Sequence, residues 1–303
     1  MNYSGLLTKM LMFVILISTG FIFARKNILT VEFNKCTSKL ILNLFLPCAI
    51  VNSVISGRPE MSSKELWSVM ALLTLSFVIC YAVGFAYTLI AKKDKNARVT
   101  ELLLSATNTF FVGMPILAAA IGGATSFYVG ISCISFNLIL YSYGVWRING
   151  GKGSIALKDM ITTCLVASLA AMIIFIFNLE LPAFATEIIG TISNATVPIS
   201  MVIIGSTMGQ CNPLEELKKP RTWIFLVLKL IIIPLIVYFA LRPLTPDDVV
   251  LATCVILCGC PSAVLVTAFC LQYNKDAEYS SKMIATSTLL SLITLPLFLI
   301  ILF

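Results

Sequence analysis

Ten apolar stretches, each close to the length that crosses a bilayer, follow one another along the chain with short connections between them. They run Gly5–Ala24, Thr37–Ser56, Leu66–Ala91, Val99–Ile121, Ser126–Trp146, Met160–Leu179, Phe184–Met208, Trp223–Leu241, Val249–Leu271 and Lys282–Phe303. A helix spanning the hydrocarbon core needs about 20 mostly apolar residues. Lipid offers no water to unpaired backbone groups, so runs of this length are expected as helices. Composition agrees, because only 12% of residues are charged, against roughly 25% in soluble domains. The first run is followed by Arg25 and Lys26 rather than a small-residue cleavage site, so a retained first helix is expected. No connection is long enough for a soluble domain, and residues 1–303 are expected as one membrane domain.

Basic residues separate cleanly across the ten spans. One set of loops holds sixteen, from Arg25 and Lys26 through Lys92, Arg98, Arg147, Lys152, Lys158 and Lys218 to Lys282; the opposite set holds Lys9, Arg58, Lys64 and Arg242. The positive-inside rule then predicts both termini on the extracytoplasmic side of the cell membrane. The net charge of +7 is thus mostly a topology signal and does not point to nucleic acid. The ten cysteines fall mostly within spans, where they act as small apolar residues. The cluster Cys254, Cys258, Cys260 has the softness to hold Cu(I) or Zn, but the chain has no histidine, and packing is the expectation. No metal and no cofactor is predicted.

The stretch "NTFFVGMPILAAAIGG", Asn108–Gly123, raises a different problem: a polar pair, a glycine and a proline interrupt span four. It is not alone. Span two carries Pro47, span seven Pro198 and span nine Pro261, and the separations Pro47–Pro115 and Pro198–Pro261 are 68 and 63 residues. Five spans per half is an odd number, so the second half runs through the membrane in the opposite sense. The prediction is two inverted five-helix repeats, 1–150 and 151–303, with spans four and nine broken. Interrupted spans at matching places in inverted halves point to a transporter's binding site. Irregular backbone at membrane depth needs protein or a water-filled cavity to satisfy it. The breaks are therefore expected to cross at Gly113–Pro115 and Gly259–Pro261, with each proline in the first turn of a restarting helix. Two restarting N-termini, each worth about half a positive charge, would face a substrate there. The fourteen acidic residues fall in loops or at helix ends, Glu101 among them, which argues against a cation–proton exchanger.

These motifs carry a resemblance. "NTFFVGMPIL" resembles the fourth-helix crossover of the auxin efflux carrier family, and "LILNLFLPCAIVNSVI" and "NATVPISMVIIGSTMGQCNP" resemble its second and seventh helices. From "GCPSAV" through "QYNKDAEYSSKMIATSTLLSLITLPLFLIILF" the chain is similar to the ninth and tenth, so nearly all of it is covered. The short loop after span five is like that of bacterial members. The resemblance implies a panel of helices one, two, six and seven, a crossover domain of helices three to five and eight to ten, and organic anions, such as malate- or malonate-like carboxylates or auxin-like acids, as substrates. It places Asn108, Thr109, Gly113, Met114 and Pro115 of span four, Asn137 of span five, and Gly259, Cys260, Pro261 and Ser262 of span nine at the substrate site, with Pro47 and Pro198 as structural hinges. Asn108 is the side chain expected on the carboxylate, with an interhelical hydrogen bond as its alternative. Ser262 either caps the restarting helix or touches substrate.

Lys229, in "FLVLKLIIIPLI", is the one charge well inside a span. Snorkelling to the interface and a fixed intramembrane cation are the two readings, with the first slightly favoured. The expected function is a secondary or facilitative carrier for a small organic anion, working by alternating access in the lipid bilayer. A sodium-coupled symporter of bile-acid type is the alternative, and a non-transporting sensor or enzyme stands further off because no catalytic constellation is present. A homodimer is left open.

Overall fold

The protein, described here by a computed structural model, is seen over residues 3–56, 61–151, 161–210 and 213–302. Arg58, Glu60, Lys152, Lys158, Asp159, Cys211 and the span ends Met160 and Phe303 lie outside the described residues. Helices make up almost all of the rest. They are α1 (Tyr3–Arg25), α2 (Val31–Ser56), α3 (Ser63–Ile90), α4 (Ala97–Ser105), α5 (Thr109–Ala120), α6 (123–148), α7 (Thr163–Phe177), α8 (Ala183–Gln210), α9 (Pro220–Leu241), α10 (Asp248–Gly259), α11 (Leu265–Gln272) and α12 (Ala277–Leu302), with a single turn at Pro213–Glu216. Six of them are long and apolar enough to cross a membrane, and four shorter apolar helices accompany them.

Local chemistry sets the helix ends. The Thr30 and Thr162 hydroxyls accept from Phe33 N–H at 3.2 Å and Leu165 N–H at 3.1 Å, and the Asp247 carboxylate accepts from Val249 N–H at 2.8 Å. Asp276 does the same for α12 through Tyr279 N–H at 2.9 Å, and this bond holds its carboxyl below the usual carboxylate range. Asn178 closes α7 in the left-handed conformation, φ +53°.

Prolines inside helices are accommodated by a recurring device. Wide π-helical turns occur at Ile41–Phe45, Thr109–Gly113, Leu140–Gly144 and Leu228–Ile232. The first, second and fourth are each followed two residues later by a proline: Pro47, Pro115 and Pro234. A proline ring collides with the carbonyl four residues back and cannot donate to it. That carbonyl, of Asn43, Phe111 or Leu230, falls inside the wide turn, where the i→i+5 spacing moves it aside. α2 therefore continues through Pro47, and α8 runs through Pro198 without a π turn. Neither proline interrupts its helix.

The chain divides into two compact units. The first comprises residues 1–69, 113–134 and 161–211. Here α1 and α8 pack backbone to backbone. A Cβ added at Gly20, Gly205 or Gly209 would run into the carbonyls of Val202, Ile17 and Phe21 respectively. Such small-residue contacts let apolar helices associate where burial from water gives no drive. Phe127 stacks on Phe175 with centroids 4.8 Å apart. The Thr196 hydroxyl donates to Phe45 O at 3.1 Å, close in sequence to Pro198 and Pro47. The second unit comprises residues 70–112, 135–160 and 212–303 and holds the broken helices' facing ends.

Candidate functional site

Within the second unit, α4 stops at Ser105 and the chain turns extended at Ala106, with φ −81° and ψ 115°. On the other side α10 stops at Gly259, and Cys260 adopts φ −59°, ψ 151°. That is the extended geometry forced on a residue preceding proline. The two extended pieces lie antiparallel, with Thr107 opposite Ser262. Asn108 N–H donates to Pro261 O at 2.8 Å, and Ala263 N–H donates to Ala106 O at 2.9 Å. Each break thus supplies the other's backbone with partners, which is what irregular chain at membrane depth requires.

The pairing lies elsewhere in span four than the sequence suggested. It uses residues 106–108, not Gly113–Pro115, because the π turn at Thr109–Gly113 absorbs Pro115 and the helix restarts at Thr109. In span nine the break is at Pro261 as expected, but Pro261 sits in the extended linker, and α11 restarts at Leu265. Gly113, Met114, Pro115, Pro47 and Pro198 fall in the first unit, whereas Asn108, Thr109, Asn137, Lys229 and Gly259–Ser262 fall in the second.

A helix end leaves up to four carbonyls without intrahelical donors, and at the end of α4 two of them, Leu103 O and Leu104 O, are met by side chains from elsewhere in the unit. Ser105 Oγ donates to Glu101 O at 2.7 Å, and Ala106 N–H donates to Leu102 O at 2.8 Å. Ser262 Oγ donates to Leu103 O at 2.6 Å. Lys229 Nζ donates to Leu104 O at 2.8 Å. Ser262 therefore caps the end of α4 rather than the restart of α11. Lys229 is 0% exposed, so it does not snorkel. It lies on the π turn of α9, and its ammonium meets the negative end of the α4 dipole.

Two polar side chains at the crossing are left over. The Thr107 hydroxyl, on a residue 1% exposed, is buried without a partner. The Asn108 carboxamide, on a residue 6% exposed, is hydrogen-bonded by no group among the described residues, although its backbone is engaged. Thr109 and Asn137 are also buried. Gly259 is a packing position, since a Cβ there would press on Leu295 at 3.3 Å and Pro234 at 3.4 Å. Cys260 is fully buried beside it.

Sequence reasoning passed over two residues. Thr107 carried no signal beyond its place before the Asn108 motif. Glu101, read as a helix-end residue, is 1% exposed. Its Oε1 accepts from Tyr143 OH at 2.7 Å and Arg147 Nε at 2.9 Å, while Arg147 also donates to Thr88 Oγ1 at 2.9 Å. The signal was an acid two residues inside an apolar run. Nearby, Arg221 pairs with Asp94 and reaches Tyr279 OH at 3.3 Å.

The described residues are almost all helical, and several of their helices are long and apolar enough to cross a membrane, which defines a multi-pass membrane protein; the transporter class follows from its family. The sequence pattern of the membrane transport protein family matches residues 6–159 and 152–299. The chain belongs to that family, the family of the auxin efflux carriers whose motifs it shares. It is 27% identical over 312 residues to an uncharacterized transporter of Methanothermobacter thermautotrophicus, covering the whole of both chains. It is 22% identical over 301 residues to an uncharacterized transporter of Methanocaldococcus jannaschii, covering 95% of this chain and 96% of the relative.

Proposed function

We propose that the protein is a secondary or facilitative carrier for a small organic anion, a mono- or dicarboxylate, that binds where the two breaks pair. One observation carries this reading. Two backbone hydrogen bonds join the breaks, yet the side chain of the buried residue Asn108 makes no hydrogen bond to the described residues, and the Thr107 hydroxyl beside it is buried without a partner. Leaving such a group without a partner costs about 1–3 kcal/mol, and a visiting carboxylate relieves that cost. An amide and a hydroxyl donate to the anion without burying a charge of their own. The N-termini of α5 and α11 add about one positive charge between them.

In this reading the ten spans form two inverted repeats, 1–150 and 151–303, with both termini on the extracytoplasmic side. Alternating access moves helices three to five and eight to ten as a crossover domain against a panel of helices one, two, six and seven. The test is a carboxylate screen on purified protein, first by thermal stabilisation and then by flux into liposomes with and without sodium and a pH gradient. Saturable flux of one carboxylate class is expected. Saturable binding with no flux for every anion tried would replace the carrier by a sensor.

A further inference from the structure

Lys229 is an unusual group to find at the crossing, and the carrier reading does not use it. It is fully buried, and no salt bridge among the described residues involves it. What opposes its charge is the end of α4, through Leu104 O at 2.8 Å, with Ser262 Oγ taking the adjacent Leu103 O at 2.6 Å. Half-helix C-termini and unwound carbonyls at a membrane break form the kind of site that holds a free coupling cation. Here that place is filled by an ammonium on a side chain of the same protein. The π turn at Leu228–Ile232 seats Lys229 one register step away from a regular helix.

We propose that Lys229 is a resident cation, a tethered substitute for a monovalent ion at the end of α4, and that the crossing therefore binds no free sodium or potassium. Removing the ammonium while leaving room for an ion should convert the place into a true cation site. An unbranched apolar replacement should fill the space and leave the Leu104 carbonyl unpaired.

The test uses the purified full chain in detergent, melted in choline, sodium, potassium and methylammonium chloride at equal ionic strength. Wild type is expected to melt at one temperature in all four salts. Lys229→Ala should melt at least about 3 °C lower in choline and regain part of that loss in methylammonium or sodium. Lys229→Met should melt low in every salt. A rise of the wild type in sodium or potassium over choline overturns the proposal, because a free-ion site is then still present. So does Lys229→Met melting with wild type, which would reduce the lysine to its aliphatic stem. So does a Lys229→Ala protein that no small cation raises. If Lys229→Ala does not fold, the wild-type and Lys229→Met arms decide.

A flux arm rests on the carrier reading. With the carboxylate found by screening, wild-type flux should be equal in sodium and choline, and Lys229→Ala flux should become sodium-dependent. Flux by wild type only in sodium overturns the proposal. Absence of flux for all anions counts against the carrier and leaves the melting arms to judge Lys229.

Discussion

Thr107 and Ser262 stand opposite each other where the two breaks pair, and both carry buried hydroxyls. Ser262 Oγ is bound to Leu103 O at 2.6 Å, whereas Thr107 Oγ1 has no partner. The contrast extends along each strand of the crossing. The span-nine strand, Cys260–Ser262, supplies stiffness through Pro261, an acceptor through its carbonyl and a cap through Ser262. The span-four strand, Ala106–Asn108, receives those bonds and keeps polar side chains in reserve. One strand holds the fold and the other presents chemistry. Two segments with the same proline signature can thus divide structure and recognition between them.

The largest effect that sharpens this division is on the presenting strand. Asn108→Asp should nearly abolish transport of an anionic substrate while the protein remains folded. A full negative charge about 4 Å from a carboxylate costs roughly 1 kcal/mol at water's dielectric and about 4 at an effective value near 20. That corresponds to about a five- to several-hundred-fold loss of affinity. Asn108→Ala removes a hydrogen bond without adding repulsion, so it should fall between wild type and Asp. Flux should recover in Asn108→Asp as pH falls and the new carboxyl takes up a proton. Wild-type flux in Asn108→Asp between pH 5 and 8, at normal expression, would remove Asn108 from the substrate and with it the main support for the site.

These two strands also mark how far the sequence could be read. Length and apolarity placed helices wherever one helix does one thing, as in α1, α3, α8 and α12. Pro261 located the span-nine break because the constraint on Cys260 is local, passing from one residue to the next. The span-four break was misplaced by several residues because a proline signals the loss of one hydrogen bond, not the loss of the helix. Whether the chain breaks or widens depends on partners distant in sequence: Pro261 O for Asn108 N–H, and Lys229 for Leu104 O. Glu101 was misjudged for the same reason, since Arg147 and Tyr143 lie more than forty residues away. Periodicity and local chemistry are written in neighbouring residues, and tertiary hydrogen-bond partners are not.

A smaller effect tests the facing hydroxyls directly. Ser262→Ala should cost about 1–3 kcal/mol of stability, because Leu103 O loses its buried donor. Thr107→Val, nearly the same shape without the hydroxyl, should be neutral or slightly stabilising, since an unpaired buried group is removed. The same substitution should weaken carboxylate flux. Melting temperatures of the two variants, read beside their flux, separate the strands. Equal destabilisation by both would mean that Thr107 is structural after all and that the division of labour is wrong.

The smallest effect is expected at Pro115, the residue that looked most like a break. Pro115 lies in the first turn of the helical segment Met114–Ala120, directly after the wide turn at Thr109–Gly113. In Pro115→Ala the new N–H can donate to Phe111 O if the π turn tightens to an α turn, so a hydrogen bond is gained. Against that, a proline in compatible geometry stabilises by about 0.4–1 kcal/mol through the unfolded chain, and that contribution is lost. The two terms oppose each other, and the net change should stay within about 1 kcal/mol, or a few degrees of melting temperature. Flux distinguishes what remains. A stable Pro115→Ala protein with normal flux means that the π turn is only an accommodation of the ring. A stable protein without flux means that the wide turn is a hinge that transport needs. Severe unfolding would show that the crossing depends on Pro115 itself, which the pairing of Asn108 with Pro261 does not require.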